Sequence, residues 1–383
     1  MSKNKKKVSL SYRLLWPIRN EKWQPITIPV FSILISFIAA AIVILLLGKN
    51  PIIAFYNLFQ GAGIFPKASY AGYKSMLTDF LSLLNAMTPL IFASLAVAVA
   101  LKAGLFNIGV SGQMLVSGFL ATIIVGYSGL DAFIAKPLVL MIGIVAGGLM
   151  GGLVGWLKYK FNIHEVVTTI MLNYIAQYVI SFFIHMYYID PVSRQSKYIT
   201  EAARLTLVDV ELANLKMDIS LGFILAIAIA IFIKFLMDKT VVGYEIKAVG
   251  SNRNAAKYTG IKVGKNTVLA MVISGSLAGL AGVTYYLGYF ASIQPKVLSN
   301  IGFDSIAVAL LGNTHPIGII FSSFLVSIID EGSTYMSSQA GIRQEIASVI
   351  IGLILLFSAC GAYLKHKVSS LKEKEVERKD SES

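Results

Sequence analysis

Several apolar runs in this chain are long enough to cross a lipid bilayer, and they constrain its fold more than any other feature. A helix needs about 20 apolar residues to cross the hydrocarbon core, and residues 26–47 and 267–290 form runs of that order. Inside lipid every backbone polar group needs a partner within the protein, so such runs fold as helices. The sequence therefore predicts an all-α, polytopic integral membrane protein with about ten transmembrane helices, some of them short or broken.

The distribution of charge predicts the topology. The chain carries 33 Lys and Arg against 20 Asp and Glu, a net charge of +13, and basic residues crowd before the first run and after the last. Because basic segments stay on the cytoplasmic side, both termini are predicted to be cytoplasmic. We divide the chain into a basic N-terminal segment (1–25), a transmembrane domain (26–364) and a charged tail (365–383). No basic patch alternates with aromatic residues, which argues against nucleic-acid binding.

Two loops stand out between the runs. Residues 187–218 balance acidic against basic side chains, so we expect them outside the cell. Residues 238–265 are strongly basic and are predicted to be cytoplasmic. In that second loop Asn254, Ala255 and Ala256 are followed by Gly260, which predicts a short helix with a glycine stop. The alternative is a solvated loop that only orients its two flanking helices.

Two late segments are too short to cross a bilayer comfortably. Residues 303–311 and 317–329 are apolar, and we expect them to be broken half-spans surrounded by protein or by a water-filled cavity. With these boundaries Asp304, Asp330 and Glu331 fall near segment ends. A proton-coupled carrier needs a titratable group at mid-membrane depth, so this assignment argues against a secondary carrier.

Glycines recur at every fourth position in the run between Lys136 and Lys160. Positions four apart share one face of a helix, and small residues there let two helices approach closely in lipid. We therefore expect a tight packing face formed by Gly143, Gly147, Gly151 and Gly155. At the start of the following span, the spacing of Asn162 and Glu165 predicts a helix cap with a capping-box partner.

The sequence contains no catalytic or metal-binding pattern. Its four histidines are scattered, and Cys360 is the only cysteine. The stretch from Gly260 to Asn266 approaches a phosphate-binding loop but has its glycines one residue too close and lacks the final Ser or Thr. We therefore predict a transport subunit rather than an enzyme, with no cofactor and no metal in this chain.

Polar residues within the apolar segments are functional candidates because burying them in a membrane is costly. Most are uncharged amides, which suit a neutral, hydrogen-bonding solute. The alternative is that they only join neighbouring helices. The predicted solute-path residues are Asn107, Ser111, Gln113, Glu165, Asn173 and Gln177.

Four stretches carry a resemblance to a known family. KAGLFNIGVSGQMLVSGFL (102–120) and GFDSIAVALLG (302–312) with the following PIG (316–318) resemble permease subunits of ABC importers in the branched-chain amino acid and simple-sugar group. NIHEVVTTIMLNYIA (162–176) is similar to the permeases of nucleoside importers. The stretch Asn254-Ala255-Ala256-x3-Gly260 resembles the Glu-Ala-Ala-x3-Gly loop by which such permeases touch their ATPase. Asn254 replaces the Glu of that loop, Ser111 stands where many relatives carry Glu, and His164 where many carry Asn.

The resemblance implies a multi-subunit importer in the cytoplasmic membrane of a bacterium. This chain would be a permease that pairs with a second, homologous permease and carries nucleosides across the membrane. A cytoplasmic ATP-binding subunit would bind ATP and Mg, and a lipid-anchored extracellular protein would deliver the solute. The alternatives are an ABC permease for a ribose-like sugar or a purine base and, from other classes, a secondary carrier or an integral membrane transferase.

Overall fold

The fold is an assembly of membrane-length helices with one small β-hairpin. The structure is a computed structural model that describes residues 24–212 and 215–360. In chain order the helices are α1 (Gln24–Leu46), α2 (Pro51–Gly61), α3 (Met76–Lys102), α4 (Val110–Ala121), α5 (Ala132–Phe161), α6 (Glu165–Phe183), α7 (Leu221–Lys239), α8 (Val241–Ser251), α9 (Arg253–Tyr258), α10 (Val263–Thr284), α11 (Ile301–Leu311), α12 (Pro316–Ala340) and α13 (Glu345–Ala359). Helices α4, α6 and α10 continue as wider π-helical turns at Thr122–Gly126, Ile184–Tyr188 and Tyr285–Phe290.

The helical membrane architecture predicted from the sequence is confirmed. Seven helices of the described part are long and apolar enough to cross a membrane, namely α1, α3, α5, α6, α7, α10 and α12. Three shorter apolar helices, α4, α11 and α13, accompany them. Most of the predicted basic segment 1–25 and the whole tail 365–383 lie outside the described residues, so the cytoplasmic placement of both termini stays a prediction.

Helix α3 lies at the centre of the bundle. Its second half, from Met87 to Ala100, is buried at every position, because α7, α10, α11 and α12 all pack around it. A helix buried on every side must be largely apolar on every side. The polar residues of this stretch, Thr88 and Ser94, donate their hydroxyls to the carbonyls of Leu84 and Leu90 at 2.8 and 2.7 Å. Pro89 lies within this buried stretch and does not end the helix.

The glycine packing face is confirmed, and its partner is α10. A Cβ atom added at Gly147 would overlap the carbonyl oxygen of Gly275, and one added at Gly151 would overlap that of Met271. Gly279 of α10 meets the carbonyl oxygen of Gly143 in the same way. Backbone therefore lies against backbone along this contact, which we call the glycine seam.

The predicted half-span at residues 317–329 is wrong. The structure has one continuous helix here, α12, which begins with Pro316 at its first turn and ends before Gly341 in the left-handed conformation (φ 60°). Asp330 and Glu331 therefore lie in the middle of a 25-residue helix rather than at a segment end. The helix can continue through them because their side chains line a cavity, described below.

The predicted cap at the start of α6 is also wrong. Asn162 adopts a left-handed conformation (φ 52°) and ends α5, a role that Asn shares with Gly. His164 caps α6 instead, because its Nδ1 accepts a hydrogen bond from the Val166 amide at 3.3 Å. Glu165 is free to form a buried ion pair with Lys158, Nζ to Oε2 2.8 Å.

One end of the bundle carries the hairpin, and we call it the hairpin end. Strands β1 (Thr206–Leu212) and β2 (Leu215–Ser220) are antiparallel. The hairpin is held to α3 and its approach segment by a side-chain hydrogen bond from Thr206 Oγ1 to Asn85 Oδ1 (3.0 Å) and a backbone bond from Lys216 to Tyr73 (3.0 Å). The opposite, basic end carries α8 and α9, and α8 crosses the end of α3 where Gly250 touches the Lys102 carbonyl.

Candidate functional site

A cavity of about 620 Å³ lies within the bundle. Its volume falls within the range of small-molecule sites, roughly 300–1,000 Å³. Its walls come from α3, the π-helical turn after α10, the segment 291–300, and helices α11, α12 and α13. The polar residues that line it are Gln195, Tyr285, Tyr286, Tyr289, Ser292, Gln294, Ser299, Asn300, Asp304, Ser327, Asp330, Glu331 and Ser348.

Three carboxylates line this space, which we call the acidic cavity. Asp304 comes from the first turn of α11, and Asp330 and Glu331 come from the middle of α12. Glu331 accepts a hydrogen bond from the Tyr289 hydroxyl at 2.7 Å. Among the described residues, neither the Asp304 nor the Asp330 carboxylate has a hydrogen-bond or ion-pair partner, and no Lys or Arg lines the cavity. The cavity therefore offers free acceptors to a solute that carries hydroxyl or amino groups.

An aromatic wall faces these carboxylates. Tyr285, Tyr289 and Phe290 all lie on the π-helical turn, and the rings of Tyr289 and Phe290 are 4.8 Å apart in an edge-to-face arrangement. Tyr285 contacts Phe290 with a centroid distance of 4.9 Å. Aromatic faces bind flat rings by stacking and cover the apolar faces of sugars. The cavity thus combines a flat apolar surface with hydrogen-bond acceptors.

The loop at the hairpin end helps to close the cavity. Gln195 accepts a hydrogen bond from the Ser292 hydroxyl at 2.7 Å, and both residues line the cavity. The backbone amide of Ser196 donates to the carbonyl of Ile293 at 2.9 Å. This loop belongs to the charge-balanced stretch 187–218, and these contacts bond it to the rim of the cavity.

The predicted path residues Asn107 and Gln113 lie elsewhere. Asn107 is fully buried and Gln113 is 2% exposed. Asn107 Nδ2 donates to Gln113 Oε1 at 3.0 Å and to Ser274 Oγ at 2.9 Å. Its Oδ1 accepts from the Gly109 amide at 2.9 Å. These amides join α4, α10 and the turn before α4, which is the arrangement expected of interhelical contacts.

The other predicted path residues also make contacts within the protein. Asn173 bonds the Gly112 amide and the Ile108 carbonyl at 2.9 and 3.0 Å, and Gln177 donates to the carbonyl of Lys296 at 2.6 Å. Ser111 donates to the Ser299 carbonyl at 2.8 Å, directly behind the cavity wall. None of the six predicted residues is among the described residues that line the cavity. Their role in solute transport stays a prediction.

The cavity residues that the sequence analysis missed have a recognisable signal. Asp330 and Glu331 are adjacent acids with apolar or small residues on both sides, and extending the helix through them by one more turn reveals a full span. The tyrosines carry no comparable signal. Their position depends on the π-helical turn, which no local pattern predicts.

The short helix at the basic end is confirmed. Helix α9 begins after Asn252, whose Oδ1 accepts from the amides of Asn254 and Ala255 at 3.0 Å each. It ends in a left-handed Gly260 (φ 83°). The Gly260 amide bonds the Lys257 carbonyl and the Ile261 amide bonds the Ala256 carbonyl, which together form a Schellman cap.

The side chains that α9 exposes include only part of the Asn254-Ala255-Ala256 motif. Ala256 is 3% exposed and packs onto its own protein. Asn254, Ala255 and Tyr258 point away from it and are exposed, with Tyr258 93% exposed. A partner would therefore meet Ala255 and Tyr258 rather than Ala256.

Metal binding has no support in the described part of the chain, where no three His, Cys, Asp or Glu side chains are placed to hold an ion. The three carboxylates of the acidic cavity are included in that statement. The acidic cavity offers hydrogen-bond acceptors beside aromatic faces.

Comparisons with known proteins agree with this architecture. Residues 80–359 match the family model described as branched-chain amino acid transport system / permease component. The chain is 35% identical to the guanosine ABC transporter permease protein NupP of Bacillus subtilis, covering 91% of this chain and 97% of the relative. It is also 35% identical to the nucleoside ABC transporter permease protein NupB of Lactococcus lactis, covering 95% and 99%. The glucose ABC transporter permease protein TsgB13 of Haloferax volcanii is 26% identical over 90% of this chain and 89% of the relative. The chain therefore belongs to the family of branched-chain amino acid transport system permease components.

Proposed function

We propose that this chain is the transmembrane permease subunit of an ATP-driven importer of nucleosides, and that the acidic cavity is part of the solute path. The acidic cavity carries the proposal, because it is a membrane-embedded space with both stacking surfaces and free acceptors. The relatives named for guanosine and nucleosides support the choice of solute.

A nucleoside matches the two halves of the cavity. Its flat base would stack on Tyr285 or Tyr289, and its hydroxyl and amino groups would donate to Asp304 and Asp330. Since the solute must leave again, a few hydrogen bonds to a solvated cavity suit transport better than a closed site.

The energy would come from other subunits. We propose that a separate cytoplasmic subunit binds and hydrolyses ATP with Mg, that it contacts the exposed face of α9, and that a second homologous permease completes the path. A lipid-anchored binding protein would deliver the solute to the hairpin end. The relatives from Bacillus and Lactococcus support a bacterial cytoplasmic membrane as the location.

A sugar is the second candidate solute. The Haloferax relative is named for glucose, and carboxylates with aromatic rings also suit sugar hydroxyls and sugar faces. A purine base would satisfy the aromatic wall but would use fewer of the acceptors.

The structure removes the argument by which the sequence disfavoured a secondary carrier. The sequence argument against it was the lack of a mid-membrane carboxylate, and Asp330 and Glu331 remove that argument. Membership of the permease family now distinguishes the two classes, and ATP dependence of uptake tests the distinction directly.

The experiment is uptake by the complete complex in proteoliposomes, with labelled guanosine, adenosine, guanine, ribose and glucose compared at equal concentration. We expect saturable nucleoside uptake that requires ATP on the side of the membrane where the ATPase subunit lies. A protonophore, which abolishes a proton gradient, should leave the uptake rate unchanged. Uptake of glucose without nucleoside would favour the second candidate. Uptake that is independent of ATP and is abolished by the protonophore would contradict the proposal of an ATP-driven importer.

Coupling has its own test at Ala255, which is exposed on α9. Ala255→Trp adds bulk on the face offered to a partner, so we expect loss of the co-purified ATPase subunit and at least a tenfold lower uptake, about 1.4 kcal/mol of lost coupling. Ala255→Ser is the control and should behave as wild type. Normal ATPase retention and uptake in Ala255→Trp would remove α9 as the contact.

A further inference from the structure

A second large cavity lies at the basic end, on the side of α5 and α10. Its volume is about 970 Å³, and its lining comes from the last turns of α5, helix α9, the loop after it and the first turns of α10. We call it the basic groove. It is separate from the acidic cavity, with which it shares no lining residue.

The mouth of the basic groove is strongly cationic. Five cations line it: Lys158, Arg253, Lys257, Lys262 and Lys265. Lys158 is paired with Glu165. Within the described part of the chain, none of the other four has a carboxylate within 4.0 Å, and no acidic residue lines the groove. The charge of the groove is therefore largely uncompensated and calls for an anion.

The start of α10 adds to this preference. Val263, Gly264 and Lys265 form its first turn and line the groove, and no side chain caps the helix. The free amides and the helix dipole at such a start favour negative charge. The Tyr159 ring packs directly against Gly264, where a Cβ would overlap it, and so shapes the wall beside these amides.

The rest of the groove is mainly apolar and runs along the membrane-length helix α10. Val268, Leu269 and Val272 continue its wall along α10 towards the middle of that helix. Trp156 and Tyr159 are 43% and 63% exposed near the end of α5, as is typical of residues at the headgroup level. Lys160 Nζ lies 5.2 Å from the centroid of the Trp156 ring. A charged mouth with an apolar wall below it is matched to an amphiphile.

We propose that the basic groove binds an anionic phospholipid, with the headgroup phosphate at Lys262 and Lys265 and an acyl chain along Val268 and Val272. A water-soluble protein subunit can meet the charged mouth but cannot follow the apolar wall along a membrane-spanning helix. That difference favours lipid over the acidic surface of a partner protein. Basic pockets between helices at the cytoplasmic side are known to bind such headgroups.

The test counts lipids that stay with the full-length protein. The complete complex is reconstituted with equal amounts of phosphatidylglycerol and phosphatidylcholine and extracted in mild detergent. Native mass spectrometry then counts the lipids and the subunits that stay with this chain. We compare wild type with Lys262→Gln/Lys265→Gln and with the control Lys234→Gln/Lys239→Gln, which removes the same charge from α7. Thermal melting of all three shows that they are folded.

We expect wild type and control to retain phosphatidylglycerol several-fold over phosphatidylcholine, and the groove variant to lose this preference. Excess inorganic phosphate should not displace the lipid; complete displacement would mean a simple anion site and overturn the proposal. Equal retention in the groove variant and wild type would also overturn it. The same holds if the variant keeps its lipid but loses the ATPase subunit, because the groove would then serve that partner.

Discussion

Two parts of α10 show opposite ways of using a membrane-spanning helix. Its middle, from Met271 to Gly279, meets α5 at the glycine seam, with backbone against backbone. Its continuation, Tyr285–Phe290, carries aromatic side chains that border a cavity of about 620 Å³. The seam leaves no room even for a side chain, while the π-helical turn borders an open space.

The difference indicates what each region tolerates. In lipid the association of helices depends on close packing, since the surrounding tails are as apolar as the helices. A change in the glycine seam should therefore act on folding. The acidic cavity contributes little packing, so a change there should act on transport. Each prediction below tests whether stability and transport can be separated in this way.

The largest effect should come from filling the seam. In Gly151→Leu the new Cβ overlaps the Met271 carbonyl oxygen, which belongs to a helix backbone and cannot move aside. We expect a loss of at least the ~1–3 kcal/mol typical of overpacking, seen as little folded protein after membrane extraction. The matched control is Gly152→Leu, because the Cβ there meets only the Val272 side chain, at 3.0 Å. Equal yields for both variants would contradict a tight seam.

The second effect concerns the buried amide of Asn173. Asn173→Leu leaves the Gly112 amide and the Ile108 carbonyl without their partner, and each buried group left unpaired costs about 1–3 kcal/mol. We expect a lower melting temperature with normal uptake per folded complex. Tyr174→Leu, at a neighbouring position that is 54% exposed, is the control. Reduced uptake at normal stability would instead support the prediction that Asn173 lies on the solute path.

The third effect concerns a free acceptor in the cavity. Asp330→Asn keeps the shape of the side chain and removes its charge, so one charge-assisted hydrogen bond to the solute is weakened. We expect about a tenfold lower uptake rate, equivalent to ~1.4 kcal/mol, with an unchanged melting temperature. The control is Glu345→Gln on α13, which is exposed and does not line the cavity. Normal uptake in Asp330→Asn would argue that solute passes elsewhere.

The smallest effect should follow Tyr289→Phe. The change removes the hydroxyl that donates to Glu331 at 2.7 Å but keeps the ring. Water in the cavity can replace that donor, so we expect uptake to fall only a few-fold. Tyr289→Leu removes the ring as well and should fall further if the solute stacks there. Equal uptake in the two variants would show that the ring itself has no part.

The features that the sequence predicts best are local. The four-residue glycine spacing defines a helix face whatever lies opposite, and Asn252 to Gly260 contains both caps of α9. The hairpin also had a local signal, since Val208–Leu212 and Leu215–Ile219 alternate apolar and polar residues around a two-residue connection. The charge balance of residues 187–218 predicts their side of the membrane but carries no information on strand pairing.

The features that sequence reasoning missed depend on distant partners. A carboxylate in an apolar run suggests the end of a span, because exposure to lipid is costly. Whether the carboxylate ends the span depends on a cavity to which α3, α11 and α13 contribute walls. No pattern within α12 indicates that this cavity exists. In the same way, Asn107 bonds Ser274 on α10, a partner 167 positions further along the chain that no local pattern predicts.

The acidic pair in α12 also has a consequence for how the protein is made. An Asp at the centre of a nascent span opposes insertion by about 2.5–3.5 kcal/mol, and α12 carries Asp330 and Glu331 together. On its own this segment is a poor substrate for the insertion machinery. It would have to wait at the translocon until helices made earlier, such as α2 and α3, which pack against it in the finished protein, can shelter its charges. The acidic cavity thus imposes an order of assembly on the bundle.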